Sequence, residues 1–327
     1  MRNQLPGQAS LSASSLLGFL SNQKAAIAIV AMLVLMLFSN TNFYTVFNLL
    51  DILNSASINM ILAAGVTVVI ICGGVDLSIG GMLSLSGIIA IKLMGIMPIF
   101  PAILITIGVG SLVGFINGFF VVQQKTEPFV ITLGMGMVLK GIAQELTEAR
   151  PIAPPNTEFM KIANSKILGT LPNLVLFMVI VLVIIYLILR FTTYGRNCYA
   201  IGGSYDVAVY SGINALRTKW IAFVICGFMA ALGGALLSSK LNSGSSIYGD
   251  ATALFVLCGA VVGGTSLAGG RGGIPQTFLG LFVLVLLQNV MNMLAVNAYV
   301  QQVFQGCIIV AIIWFDCFGI KLKREAV

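Results

Sequence analysis

Asp76 stands in CGGVDLSIGG (residues 72–81), among four glycines, between the apolar runs INMILAAGVTVVII (58–71) and MLSLSGIIAIKLMGI (82–96). A charged group deep in hydrocarbon costs at least about 2.5–3.5 kcal/mol, and a glycine-rich break exposes backbone amides that offset part of that cost. Two roles fit the residue. Its carboxylate could cap the following helix by accepting from the amides of the next turn, or it could stand in a transport path or gate. Catalysis does not fit. The chain has no histidine, the commonest general base and metal ligand, and it shows no paired carboxylates and no nucleophile beside a base. Cys72, Cys198, Cys226, Cys258, Cys307 and Cys317 have no CxxC spacing, so neither a disulfide framework nor a zinc site is indicated.

A second glycine-rich stretch, VVGGTSLAGGRGGIPQTFLG (261–280), invites a phosphate-loop reading. The pattern GxxxxGK[ST] is absent from the chain, so no nucleotide site is expected. Pro275 suits the first turn of a following helix. A third segment, YGRNCYAIGGSYDVAVYSGINALRTKW (194–220), places a short amphipathic run, Ser204 to Tyr210, between a Gly-Gly turn and Gly212. That is the pattern of a small surface docking helix.

The elements that hold these segments follow from composition. Hydrophobic residues make up 58% and charged residues 8% of the 327 residues, against about 25% charged in soluble domains. The chain is therefore expected to be an all-α integral membrane protein. Spans are placed near 25–42, 56–72, 77–95, 100–121, 129–146, 172–190, 219–238, 251–265, 276–296 and 300–318, the eighth short enough to be re-entrant. The first is read as an uncleaved span, with no small-residue cleavage site after it. Ten spans form two five-helix halves of opposite orientation with glycine-rich breaks, as in inverted-repeat transporters.

The net charge of +7 is scattered over loop ends and fits the positive-inside rule rather than nucleic-acid binding. Arg190, Arg196, Arg217 and Lys219, with Lys321, Lys323 and Arg324 in the tail, place both termini in the cytoplasm. One permease domain, 1–327, is expected to comprise a cytoplasmic N-terminal segment (1–24), a Pro-containing outer loop (147–171), a cytoplasmic loop (191–218) and a cytoplasmic tail (319–327). Gly110, Gly114 and Gly118, at helical spacing, are read as a close helix–helix contact.

These residues carry a resemblance. GGVDLSIGG (73–81), GRNCYAIGGSYDVAVYSGIN (195–214) and VVGGTSLAGGRGGIPQTFLG (261–280) resemble, in order, three signatures of the permease subunits of ATP-driven carbohydrate importers of the ribose, galactose and autoinducer-2 type. Weaker matches, NFYTVFNLLDILNSAS and FVITLGMGMVLKGI, extend the similarity over nearly the whole chain. The coupling loop departs from the family's Gly-Gly-Asn-x-x-Ala-Ala pattern, reading Gly202-Gly203-Ser204-Tyr205-Asp206-Val207-Ala208. Phe255 stands where the family tends to carry an acid, with Asp250 five residues earlier.

The resemblance implies a monosaccharide importer in a bacterial inner membrane. Its partners would be a cytoplasmic ATPase that binds all the ATP, a soluble sugar-binding protein outside, and a second permease chain, identical or related. No cofactor, metal or nucleic acid is implied. Gly203, Ser204, Tyr205, Asp206, Val207, Ala208 and Gly212 would meet the ATPase. The substrate path would be lined by Asp76, Ser78, Asn117, Gln288 and Asn292, with neutral amides and hydroxyls making weak sugar contacts and Thr132, Gln144 and Asn289 as further candidates. Gln288 and Asn292 are four apart and share a helix face. Each amide suits helix bridging equally well. The alternative is an ion-coupled secondary transporter, to which inverted halves and an intramembrane carboxylate are also suited.

Overall fold

The computed structural model describes residues 24–311 apart from 40, 168 and 309. The segment 1–23, the end of the tenth expected span, Asp316, Cys317 and the basic tail lie outside the described residues. The helices are α1 (Lys24–Ser39), α2 (Val46–Ile71), α3 (Ile79–Leu93), α4 (Ile99–Gly118), α5 (Pro128–Thr147), α6 (Glu158–Asn164), α7 (Asn173–Phe191), α8 (Thr193–Gly203), α9 (Tyr205–Tyr210), α10 (Ala215–Leu241), α11 (Thr252–Val262) and α12 (Ile274–Met293). Residues 298–308 are helical again. A π turn, Phe119–Gln123, prolongs α4, and two-residue strands, Lys166–Ile167 and Leu171–Pro172, pair antiparallel in the 147–171 segment.

Among the described residues, α2, α4 with its π turn, α5, α7, α10 and α12 are long and apolar enough to cross a membrane. Ala28–Phe38, α3 and α11 are shorter apolar helices. At 1.5 Å per residue α3 spans about 22 Å and α11 about 16 Å, less than the ~30 Å hydrocarbon core. The reason is local. Residues 72–78 before α3 and 242–251 before α11 are non-helical, so part of each apolar run is spent in irregular chain. The second expected span begins ten residues earlier than its apolar run, at Val46, because the Thr45 hydroxyl caps α2 by accepting from the Asn48 amide at 3.3 Å. The segment opening the 191–218 loop is also helical, as α8, with the Thr192 hydroxyl accepting from the Gly195 amide at 3.2 Å.

Two helices form the core. α10 packs against α2, α3 and α4, and α2 also meets α7, α11 and α12. In α2, 83% of the most apolar stretch is buried, against 17% in α5, so α5 turns apolar side chains such as Met137 and Val138 outward. The glycine stripe does what its spacing predicts. A Cβ on Gly110 would lie 2.5 Å from the Gly227 carbonyl oxygen, and one on Gly114 would overlap the Phe223 carbonyl. The α4 and α10 backbones therefore touch, and the Trp220 indole N–H donates to the Phe115 carbonyl at 2.8 Å.

The 147–171 segment covers the C-terminal end of α10. The Ser239 hydroxyl donates to the Phe159 carbonyl at 2.6 Å and accepts from the Ala163 amide at 3.1 Å, and Ile152 pairs with Gly244. The opposite end of the bundle gathers the C-terminal end of α2, helices α8 and α9, the start of α10 and the loop 264–273.

Candidate functional site

The three segments singled out by sequence meet at one point of that second end. The Gly270 amide donates to the Ile71 carbonyl at 2.9 Å, joining the loop after α11 to the end of α2. Gly202, in α8, is wedged between them, and a Cβ there would overlap both the Ile71 carbonyl and the Gly270 amide. A Cβ on Gly269 would lie 2.9 Å from Gly73 Cα and 3.0 Å from Gly202 Cα. Gly269 and Gly270 also have φ of +87° and +70°, in the region that glycine enters without steric cost. The Tyr199 hydroxyl ties the same knot by donating to the Gly272 carbonyl at 2.9 Å. Burial raises the Tyr199 phenol above its ordinary pKa. Beneath the knot, the Thr277 hydroxyl lies 2.8 Å from that of Thr67 and 3.1 Å from that of Thr265, linking α12 to α2 and to the loop.

The expected coupling residues ride on this junction. Ser204 is extended (φ −159°, ψ 112°), ending α8 and starting α9. Ala208 turns inward and packs with Ile201, Ala215 and Ile213. Gly203, Ser204, Tyr205, Asp206 and Val207 are exposed, and Tyr210 is 90% exposed. Gly212, at φ +82°, lets the chain turn back into α10, whose first turn is capped by Asn214 accepting from the Arg217 amide at 2.9 Å. Lys219 lies over the Tyr205 ring, 5.3 Å from its centroid.

Asp76, Ser78 and Asn117 are brought together, and all three are buried. Asp76 Oδ1 accepts from the Ser78 amide (2.9 Å) and hydroxyl (2.6 Å), and the Asn117 amide donates to the Ser78 hydroxyl at 2.8 Å. The Leu77 amide donates to the Thr132 hydroxyl at 3.0 Å. Asp76 thus fixes the turn before α3, bonding an amide two residues on rather than one inside the helix. Its second oxygen and Asn117 Oδ1 are sealed from water without a hydrogen bond of normal geometry, with the Cys226 thiol close by.

Gln288 and Asn292 are not part of this cluster. Asn292 accepts from Gln301 at 2.9 Å, and its neighbour Asn289 pairs with Asn48 across α12 and α2. Among the described residues no cluster of His, Cys, Asp and Glu could hold a metal ion.

A further feature was not assembled by sequence reasoning. The first turn of α3 touches the segment leading into α11. A Cβ on Gly80 would lie 2.5 Å from the Gly249 carbonyl oxygen, and the Gly249 amide donates to the Ser84 hydroxyl at 2.9 Å. Beside this contact a groove of about 400 Å³ runs between α3, α5 and residues 246–254. Lys140 and Asp250 form an ion pair across it at 2.6 Å. The available signal was a lysine inside the mostly apolar run 129–143.

The chain matches, over residues 48–313, the model of the family described as branched-chain amino acid transport system / permease component. The chain belongs to this family of membrane permeases. The permease is 35% identical over 303 residues to the ribose import permease protein RbsC of Haemophilus influenzae, covering 91% of this chain and 94% of that protein. It is 34% identical over 281 residues to the ribose import permease protein RbsC of Bacillus subtilis, covering 85% and 87%. It is 32% identical over 276 residues to the D-allose transport system permease protein AlsC of Escherichia coli, covering 84% of each. No solved structure matches it. The permease is a multi-pass membrane transport component and not an enzyme.

Proposed function

We propose that the permease is the membrane-spanning subunit of an ATP-binding-cassette importer and passes a monosaccharide into a bacterial cell. The observation that carries this reading is that exposed α9 follows directly on α8, whose Gly202 is wedged where the chain breaks after α2 and after α11 converge. A push on α9 passes through Ser204 and the Ala208–Ile201 packing into α8, whose Gly202 touches both broken segments backbone to backbone. Similarity to permeases named for ribose and allose supports a sugar as cargo.

In this reading the chain forms a single transmembrane domain of ten crossings, with both termini cytoplasmic. α2, α3, α4 and α5 in one half are answered by α10, α11, α12 and residues 298–308 in the other, in opposite orientation, each half carrying one long helix followed by a broken one. A separate ATPase docks on residues 203–212 and binds the ATP, a soluble binding protein delivers sugar at the 147–171 face, and a second permease chain closes the pathway.

Proteoliposomes test the proposal. Uptake of labelled D-ribose, D-allose or D-xylose should require the ATPase, internal ATP and the binding protein together. Uptake by this chain alone, driven by a proton or sodium gradient, would overturn it.

A further inference from the structure

We infer that the groove beside the Gly80–Gly249 contact is where this permease touches the passing sugar, with Lys140, Asp250, Ser246 and Ser84 as the contacting groups. The inference rests on the proposed function and adds the site. Lys140 lies twelve residues after Pro128 and seven before Thr147 in α5, about 18 Å and about 10 Å along the axis. The ion pair therefore stands about 10 Å inside the C-terminal end of the helix, one turn before Gln144 and Glu145. Its side chains are 39% and 46% exposed. Half-open charges at that depth are costly against lipid, so the groove suits a polar path rather than a lipid-facing surface.

The groove's chemistry favours a polyol over an ion. The pair is already neutral, which removes the drive to bind a lone charge. Lys140 still offers ammonium protons and Asp250 still offers lone pairs, side by side. Vicinal hydroxyls each donate and accept, so a diol can bridge the two. Ser246 is 2% exposed and makes no hydrogen bond among the described residues, although it lines the groove. The Ser84 hydroxyl accepts from Gly249 and donates to no described residue. Both therefore hold unused capacity toward the same space. A volume of about 400 Å³ lies in the range of small-molecule sites. A half-exposed ion pair is worth little in itself, so exchanging it for sugar hydroxyls is nearly neutral. The contact is weak enough to release its cargo.

Two measurements test the inference on the reconstituted complex with ATPase and binding protein, using whichever of D-ribose, D-allose and D-xylose the wild type imports. Ser246→Cys should react with a membrane-impermeant maleimide above the background of the native cysteines, and excess imported sugar should slow that reaction. Lys140→Met and Asp250→Asn should each lower sugar imported per ATP hydrolysed by about tenfold. A cysteine at 246 that is inert, or whose labelling ignores sugar, would overturn the site, as would a wild-type import ratio in both charge variants. Should those variants fail to assemble, the labelling result decides. A wild-type complex that imports none of the three sugars with ATP would instead sink the proposed function.

Discussion

Two glycine contacts in this permease look alike in sequence and behave oppositely in space. At the junction of the three segments Gly202, Gly269, Gly270 and Gly73 press backbone on backbone until no Cβ fits. Beside Gly80 and Gly249 the backbones touch just as closely, but the contact borders a groove carrying an open ion pair. In the first case close approach makes a rigid joint. In the second it holds the start of α3 against the segment entering α11 and leaves polar space at their side. Close packing transmits motion because interiors resist compression, whereas weak, wet contacts let a solute leave.

The strongest attack on the comparison is Gly202→Val. Overpacking against side chains costs about 1–3 kcal/mol, and here the obstacles are the Ile71 carbonyl and the Gly270 amide, which cannot rotate away. Loss of a folded permease, or of all ATP-driven uptake, is expected. Gly203→Ala, one residue on, meets nothing within 4 Å and should unfold at the wild-type temperature. Equal melting of the two variants would show that the junction is not tight.

Asp76→Ala comes next. It strands the Ser78 amide and hydroxyl, a loss of about 1–3 kcal/mol for buried groups, and should lower thermal stability and uptake together. Asp76→Asn keeps an acceptor and should recover much of both. Wild-type uptake by the alanine variant would show the carboxylate to be dispensable.

Gly212→Val and Asp206→Lys probe the exposed side of the joint. A left-handed backbone costs a β-carbon residue about 1–2 kcal/mol. Binding of the ATPase in a pull-down should fall about tenfold, equivalent to about 1.4 kcal/mol, while the permease stays folded. Undiminished complex would count against docking on this loop.

The smallest effect is expected for Thr67→Val, which removes one hydroxyl from the Thr67–Thr277–Thr265 chain. A cost of about 1 kcal/mol should appear as a slightly lower melting temperature, and an unchanged value would mean that these hydroxyls add nothing to the joint.

Much of the architecture was legible in residue order alone. Long apolar runs require helices in lipid because every backbone group must be bonded within the segment. The 110–114–118 glycine spacing specified a backbone contact, and the run from Ser204 to Tyr210 specified a short helix. Some features resisted. α8 was hidden because glycine and polar residues lower helix propensity, while its stability comes from the caps and from packing on the junction. The 242–251 segment was hidden because an extended chain beside an apolar helix leaves no periodic signal.

Composition and spacing by themselves pointed to a chain that lives in a membrane and to three glycine-rich segments that matter. Those conclusions rest on solvation cost and backbone freedom, which are local. Tertiary structure alone decided that the three segments form one joint and that Lys140 meets Asp250, 110 residues away in sequence, across a groove. Pairings at that distance depend on how helices stack, and stacking is fixed by the sum of many contacts.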